Sequence, residues 1–264
     1  MPRARRGGTE TFWRVWGEGP RRTLMIHCTL AHSGAWNGLA ALLSLPAIAF
    51  DMPGHGQSGP RDVSVDYQLQ CLRVATDFCA DGPMDIIGHS FGATVALRLA
   101  VERPQAVRRL VLIEPVFFAA ACGTAEFETY TADFQPFVTA MQAGDTELAA
   151  QRFTEMWGTG VAWDDMREAQ RLSLAEQIDI IPAQQGAIFD DNAGLLGTGR
   201  LEAVVAPVLL IEGSASPPII GAVADAISAR LPDAQRAVVQ GAGHMLPITH
   251  PRQVVDHIVP FISP

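Results

Sequence analysis

Met84-Asp85-Ile86-Ile87-Gly88-His89-Ser90-Phe91-Gly92-Ala93-Thr94-Val95-Ala96-Leu97-Arg98-Leu99-Ala100 decides the reading of this 264-residue chain. The stretch opens on an apolar-biased run of strand length and closes on helix formers, with Gly88-x-Ser90-x-Gly92 between them. A strand that turns into a helix this sharply forces its central residue into a strained backbone conformation. It also brings helix and strand too close for a Cβ two positions to either side, a demand that Gly88 and Gly92 meet. The serine hydroxyl is thereby presented at the end of the strand, with a helix N-terminus behind it to favour developing negative charge.

Outward from this turn, short apolar runs recur at Phe12–Trp16, Leu24–His27, Ala47–Phe50, Leu110–Ile113, Val208–Ile211 and Ala237–Val239. Several are apolar throughout, as strands covered on both faces by helices must be. Helical stretches at Gln68–Ala80, Ala93–Glu102, Gly221–Leu231 and Pro251–Phe261 supply the crossovers. The pattern is a doubly wound α/β fold with a mostly parallel sheet. Between Val116 and about Arg200 the strand rhythm stops, and helical patterns such as Thr146–Trp157 and Asp164–Glu176 take over. The expected organisation is therefore a core of residues 1–115 and 201–264 with a helical cap inserted at 116–200. The inserted segment holds 10 of the 19 aromatics, among them Phe117, Phe118, Phe127, Phe134, Trp157 and Trp163. Any one of them is more often helix packing than pocket wall, but together they are expected to line an apolar pocket over Ser90.

Composition narrows the partners. A net charge of −9 offers no basic footprint for nucleic acid or an anionic membrane. No run of about 18 apolar residues is present to span a bilayer. The basic start Met1-Pro2-Arg3-Ala4-Arg5-Arg6 lacks the apolar core of a signal peptide and is read as a frayed terminus. Cys28, Cys71, Cys79 and Cys122 show no metal-ligand or disulfide spacing and are read as small buried hydrophobes in a reducing compartment. The expectation is a cytoplasmic protein acting on a small apolar molecule, with neither metal nor cofactor; a homodimer is compatible with everything above.

Two further segments carry chemistry. Gln240-Gly241-Ala242-Gly243-His244 places His244 on a loop at the C-terminal end of the last strand, where open α/β sheets build their sites. Phe50-Asp51-Met52-Pro53-Gly54-His55-Gly56-Gln57-Ser58 is a glycine-rich loop after another strand, in which Asp51 and His55 are read as holding loop structure. His89 is expected to pack beside the turn, His250 and His257 to be structural, and His27 and His32 are ambiguous.

Taken together, the Gly-His-Ser-Phe-Gly turn, the Asp-Met-Pro-Gly-His-Gly-Gln-Ser loop and the terminal Gly-Ala-Gly-His resemble the signatures of the α/β-hydrolase superfamily, over about Thr11 to Phe261. The resemblance implies Ser90 as nucleophile, His244 as general base, and an oxyanion hole from the backbone N–H of Phe91 and of Thr29. Two departures stand out. His27-Cys28 replaces the usual His-Gly, and Ser216 stands where the pattern after the strand Val208–Ile211 has an aspartate. Some members carry their acid at the end of the strand that follows the nucleophile helix, and the resemblance thereby points to Glu114; Glu212 or a Ser–His dyad are the alternatives.

The implied activity is a serine hydrolase, carboxylesterase-like, cleaving a small and largely apolar ester through an acyl-enzyme. A carbon–carbon bond hydrolase or lyase of the same superfamily is the alternative, along with a non-catalytic ligand-binding member. The carbon–carbon hydrolases anchor a substrate carboxylate, for which Arg98, Arg152, Arg167 and Arg171 have no evident placement.

Overall fold

Every residue of Thr23–Ile26, Ala47–Phe50 and Met84–His89 is buried, as strands covered on both faces require. The computed structural model describes residues 2–20 and 22–263. Its strands are β1 (Arg3–Arg6), β2 (Thr9–Trp16), β3 (Thr23–Ile26), β4 (Ala47–Phe50), β5 (Met84–His89), β6 (Val107–Ile113), β7 (Val208–Gly213) and β8 (Ala234–Val239). The helices up to β6 are α1 (Asn37–Leu43), α2 (Tyr67–Phe78) and α3 (Phe91–Glu102). Between β6 and β7 lie α4 (Ala125–Gln142), α5 (Thr146–Trp157), α6 (Glu168–Gln177) and the single turn α7 (Gln185–Ile188). The chain closes through α8 (Pro218–Ser228), the single turn α9 (Leu246–Thr249) and α10 (Pro251–Ile262).

The strands form one sheet in the order β1-β2-β4-β3-β5-β6-β7-β8. β3 through β8 run parallel, and β1 and β2 add antiparallel pairings at one edge. Alternation along each strand divides the core in two. Leu24, Ile26, Ile86, Leu110, Leu112 and Leu210 pack against helices on one face, and Met25, Ala49, Ile87, Val111, Leu209 and Ile211 against those on the other. The parallel order leaves the ends of β3, β5, β6, β7 and β8 at one edge of the sheet, where the loops bearing Thr29, Ser90, Glu114, Ser216 and His244 emerge.

The basic start is not frayed. Arg3–Arg6 is paired with Thr9–Phe12 across a two-residue turn, Gly7-Gly8, whose φ values of +53° and +95° suit the tight hairpin that right-twisted strands prefer. Arg6 then lies over the rings of Trp13 and Phe78 and pairs with Asp77 at 2.7 Å. Met1 lies outside the described residues. Helix α4, in the segment read as helical, runs through Pro136, whose missing donor falls on an exposed position. Cys122 is exposed, unlike the other three cysteines, because it sits in the turn before α4 rather than packed in the core. No helix among the described residues is long and apolar enough to cross a membrane.

The hairpin turn makes a contrasting pair of substitutions informative. A Cβ on Gly7 would lie 2.4 Å from backbone atoms of Arg73 and Val74, whereas one on Gly8 meets nothing within 4 Å. Gly7→Ala should therefore cost about 2 kcal/mol or more, and Gly8→Ala only the conformational strain of about 1 kcal/mol. Urea midpoints of the two variants check this ordering.

Candidate active site

β5 ends at His89 and α3 begins at Phe91, so the whole turn is the single residue Ser90, at φ +56° and ψ −120°. Close approach holds it there. A Cβ on Gly88 would lie 2.4 Å from the carbonyl oxygen of Gly92, and one on Gly92 would lie 2.3 Å from that of Ile26. Among the described residues five non-glycines have positive φ, and three of them, Leu30, Ser90 and Glu114, are on the loops around this point. Strain of this kind persists only where surrounding contacts over-determine the backbone.

The hydroxyl of Ser90 is 2.9 Å from Nε2 of His244, and Nδ1 of His244 is 3.0 Å from Oε2 of Glu114. The carboxylate can only accept, so Nδ1 carries the proton and Nε2 is left to accept from the serine. Glu114 is fully buried, and its second oxygen accepts from the Gly213 amide at 2.6 Å and the Ser216 hydroxyl at 2.7 Å. Ser216, at the position where an aspartate was anticipated, therefore binds the carboxylate that reaches in from β6. Glu212, the alternative acid, points elsewhere and pairs with Arg236.

Thr29 lies on the loop after β3 and lines the same cavity as Ser90. The next amide, Leu30 N–H, donates to His55 at 3.2 Å, while no partner is found for the Thr29 N–H among the described residues. Its hydroxyl donates to Gln184 at 2.8 Å. Phe91 occupies the first position of α3, so its N–H is one of those a helix leaves unpaired. Thr29 and Ser90 thus share one cavity, and Phe91 directly follows the serine.

His27, His32, His55 and His89 hold backbone. His27 accepts the Met52 amide on Nε2 and donates from Nδ1 to the Cys28 carbonyl. His55 accepts the Leu30 amide, and Nε2–H of His89 donates to the carbonyl of His244 itself, fixing the loop that carries His244. Burial holds all three neutral: His27 is pushed well below its usual value, His55 to about 4 and His89 to about 3. Asp51 clamps its loop by accepting from the amides of Ser33 and Gln57. His32 caps a short turn, its Nδ1 accepting from the Gly34 amide. Burial likewise pushes the Cys28 thiol up to about 12, so it stays protonated.

Above Ser90 and His244 is a cavity of about 580 Å3 walled by Phe118, Tyr130, Phe134, Phe153, Trp157 and Phe189. These rings also pack on one another, Phe118 to Tyr130 at 4.4 Å and Phe134 to Phe137 at 4.5 Å. Packing and pocket lining are thus done by the same side chains. Trp157 presents its ring edge-on to His244 at 4.7 Å. A second cavity of about 360 Å3 meets the first at Thr29, Phe153 and Trp157. Gln184 and the contribution of Ser216 escaped the sequence reading, since their partners lie 155 and 102 residues away and no local pattern marks them. No group of three or more His, Cys, Asp or Glu is placed to hold a metal ion among the described residues.

A sequence profile of the alpha/beta hydrolase family matches residues 23–257. The chain is 30% identical to the pimeloyl-(acyl-carrier protein) methyl ester esterase of Nitrosomonas europaea over 250 residues, 91% of this chain and 94% of that one. It is 40% identical to lipase LipV of Mycobacterium tuberculosis over 99 residues, which span 37% of this chain and 38% of that protein. An alpha/beta hydrolase from Sphaerobacter thermophilus superposes with a TM-score of 0.73 at 20% identity, over 99% of this chain and all of that one, a likeness of fold.

The buried neutral histidines set a pH dependence. An unfolded chain protonates them near 6.5, whereas the fold resists until far lower, so stability is fully present above about pH 6.5 and lost as pH falls through the window down to about 4. His55 alone contributes up to about 3 kcal/mol of that loss. Urea midpoints between pH 7 and pH 4.5 should fall steadily; a flat profile would contradict the assignment.

Proposed function

The chain belongs to the alpha/beta hydrolase family, and on that premise we propose that it is a serine hydrolase cleaving small, largely apolar esters through an acyl-enzyme. The observation that carries the reading is the unbroken chain of contacts from Ser90 Oγ through His244 to the buried carboxylate of Glu114. A serine hydroxyl is a weak nucleophile until an imidazole takes its proton. In the proposed reaction Ser90 Oγ attacks the ester carbonyl as its proton passes to His244 Nε2. Glu114 stabilises the imidazolium so formed and holds its tautomer. The amides of Phe91 and Thr29 receive the tetrahedral oxyanion, each such donor contributing roughly 3–4 kcal/mol to the transition state. Collapse of the intermediate breaks the ester C–O bond, and His244 returns the proton to the departing alcohol. Water then attacks the acyl-enzyme by the same route in reverse, releasing the acid.

In this reading residues 116–200 act as a cap on a core of 1–115 and 201–264, and substrate size is limited by the aromatic cavity between them. Resemblance to a methyl ester esterase and, over a shorter span, a lipase supports ester chemistry. It does not carry their substrates over. The carbon–carbon hydrolase alternative is disfavoured because neither Arg nor Lys lines the cavity to anchor a substrate carboxylate. Against a purely ligand-binding role stands Glu114: a buried carboxylate aimed at the histidine adds nothing to the capture of an apolar molecule.

Ser90→Ala should lower turnover of short activated esters by about 10^4-fold or more while leaving the melting temperature near that of the parent. Substantial turnover by the folded variant would defeat the acyl-enzyme. Glu114→Gln should lower kcat by about 10^2- to 10^4-fold with little change in KM, since the charge matters chiefly as the imidazolium forms. Ser216→Ala should cost far less, about tenfold, because the Gly213 amide still holds the carboxylate; steady-state kinetics of the pair distinguish the two contributions.

A further inference from the structure

Of the chain's 28 acidic and 19 basic residues, 13 and 4 fall within residues 116–200, which leaves 15 of each elsewhere. The entire net charge of −9 therefore resides on the helical segment that walls the cavity over Ser90. The few cations of that segment are partly committed as well: Arg152 pairs with Glu155 at 2.8 Å, and Arg171 stands 3.9 Å from Asp164.

The cavities have the opposite character. Among the described residues neither the larger nor the smaller is lined by any Asp, Glu, Lys or Arg. Below the aromatic walls of the larger cavity the polar groups are Ser90, His244, Thr29 and Gln184, engaged with one another or with Glu114 except for the buried Nε2 of Gln184, a neutral donor without a partner, and the smaller cavity adds His32, whose Nδ1 accepts from the Gly34 amide. Burial keeps the Tyr130 phenol protonated. Toward solvent the lining ends in exposed neutral groups, Thr131, Gln135, Gln142 and Gln185.

Resting on the esterase reading above, we propose that this site selects esters whose acyl part carries no negative charge and rejects carboxylate-bearing ones. Two effects act in the same direction. The acidic segment sets up a repelling field that lowers the local concentration of anions. A carboxylate that enters regardless loses its hydration among aromatic walls with no cation to replace it, the costlier of the two terms. A neutral methyl ester of the same acyl chain incurs neither.

The test compares dimethyl hexanedioate with its monomethyl half-ester at pH 7, a pair alike except that one terminus is capped or ionised. With the parent protein, kcat/KM for the half-ester should be lower by about a hundredfold. With Ser90→Ala, the diester should raise the melting temperature and the half-ester at equal concentration should not. Turnover of the two within about threefold, or equal melting shifts, would overturn the charge selection and leave the esterase reading standing. Absence of turnover for both compounds would remove the esterase reading, and the melting shifts of Ser90→Ala would still decide whether the cavity discriminates by charge.

Discussion

A carboxylate cut off from water has to be met by donors, and the site is organised around that requirement at Glu114. Three segments converge on its two oxygens: the amide of Gly213 at the end of β7, the hydroxyl of Ser216 just beyond it, and the imidazole of His244 after β8. Remove the carboxylate and each of those donors is left buried without a partner; remove a donor and the charge is under-satisfied. Such mutual dependence makes a buried polar cluster stiff, because partial satisfaction is worse than none. It also ties the loops after β6, β7 and β8 to one another at the point from which His244 reaches Ser90.

The same loops carry the backbone strain. Leu30, Ser90 and Glu114 all hold positive φ without being glycine, while Gly88 and Gly92 admit contacts that no Cβ would allow. The two apolar faces of the sheet supply the stability that offsets this cost. Neutral histidines at 27, 55 and 89 then brace the strained loops from behind, each bonding a main-chain group rather than a substrate. The residue type that bridges Ser90 and Glu114 at 244 thus serves at three other positions as a rigid hydrogen-bonding strut.

Above the sheet, the helical segment divides its residues by face. Aromatic side chains turn inward, where they build one another's packing and the cavity wall together. The charge turns outward, and its imbalance is confined to this segment. A pocket made in this way offers apolar contact and a few neutral polar groups, with no Asp, Glu, Lys or Arg in its lining among the described residues.

Local pattern was enough for the parts that are local. Full apolarity marked the central strands because both their faces are covered, and the spacing of Gly88, Ser90 and Gly92 marked the turn because the approach of Gly88 to the Gly92 carbonyl acts within five residues, although the contact that excludes a Cβ on Gly92 is with the distant Ile26. The Gly7-Gly8 hairpin was equally local, but arginines in a strand edge mask the usual apolar alternation, so it read as a loose end. What only the tertiary structure decided is who meets whom across the sheet: that Glu114 and His244, 130 residues apart, share a hydrogen bond, that Ser216 supports the carboxylate, and that Gln184 comes down onto Thr29. Those contacts follow from strand order and loop convergence, and neither propensity nor periodicity encodes the order in which parallel strands are laid side by side.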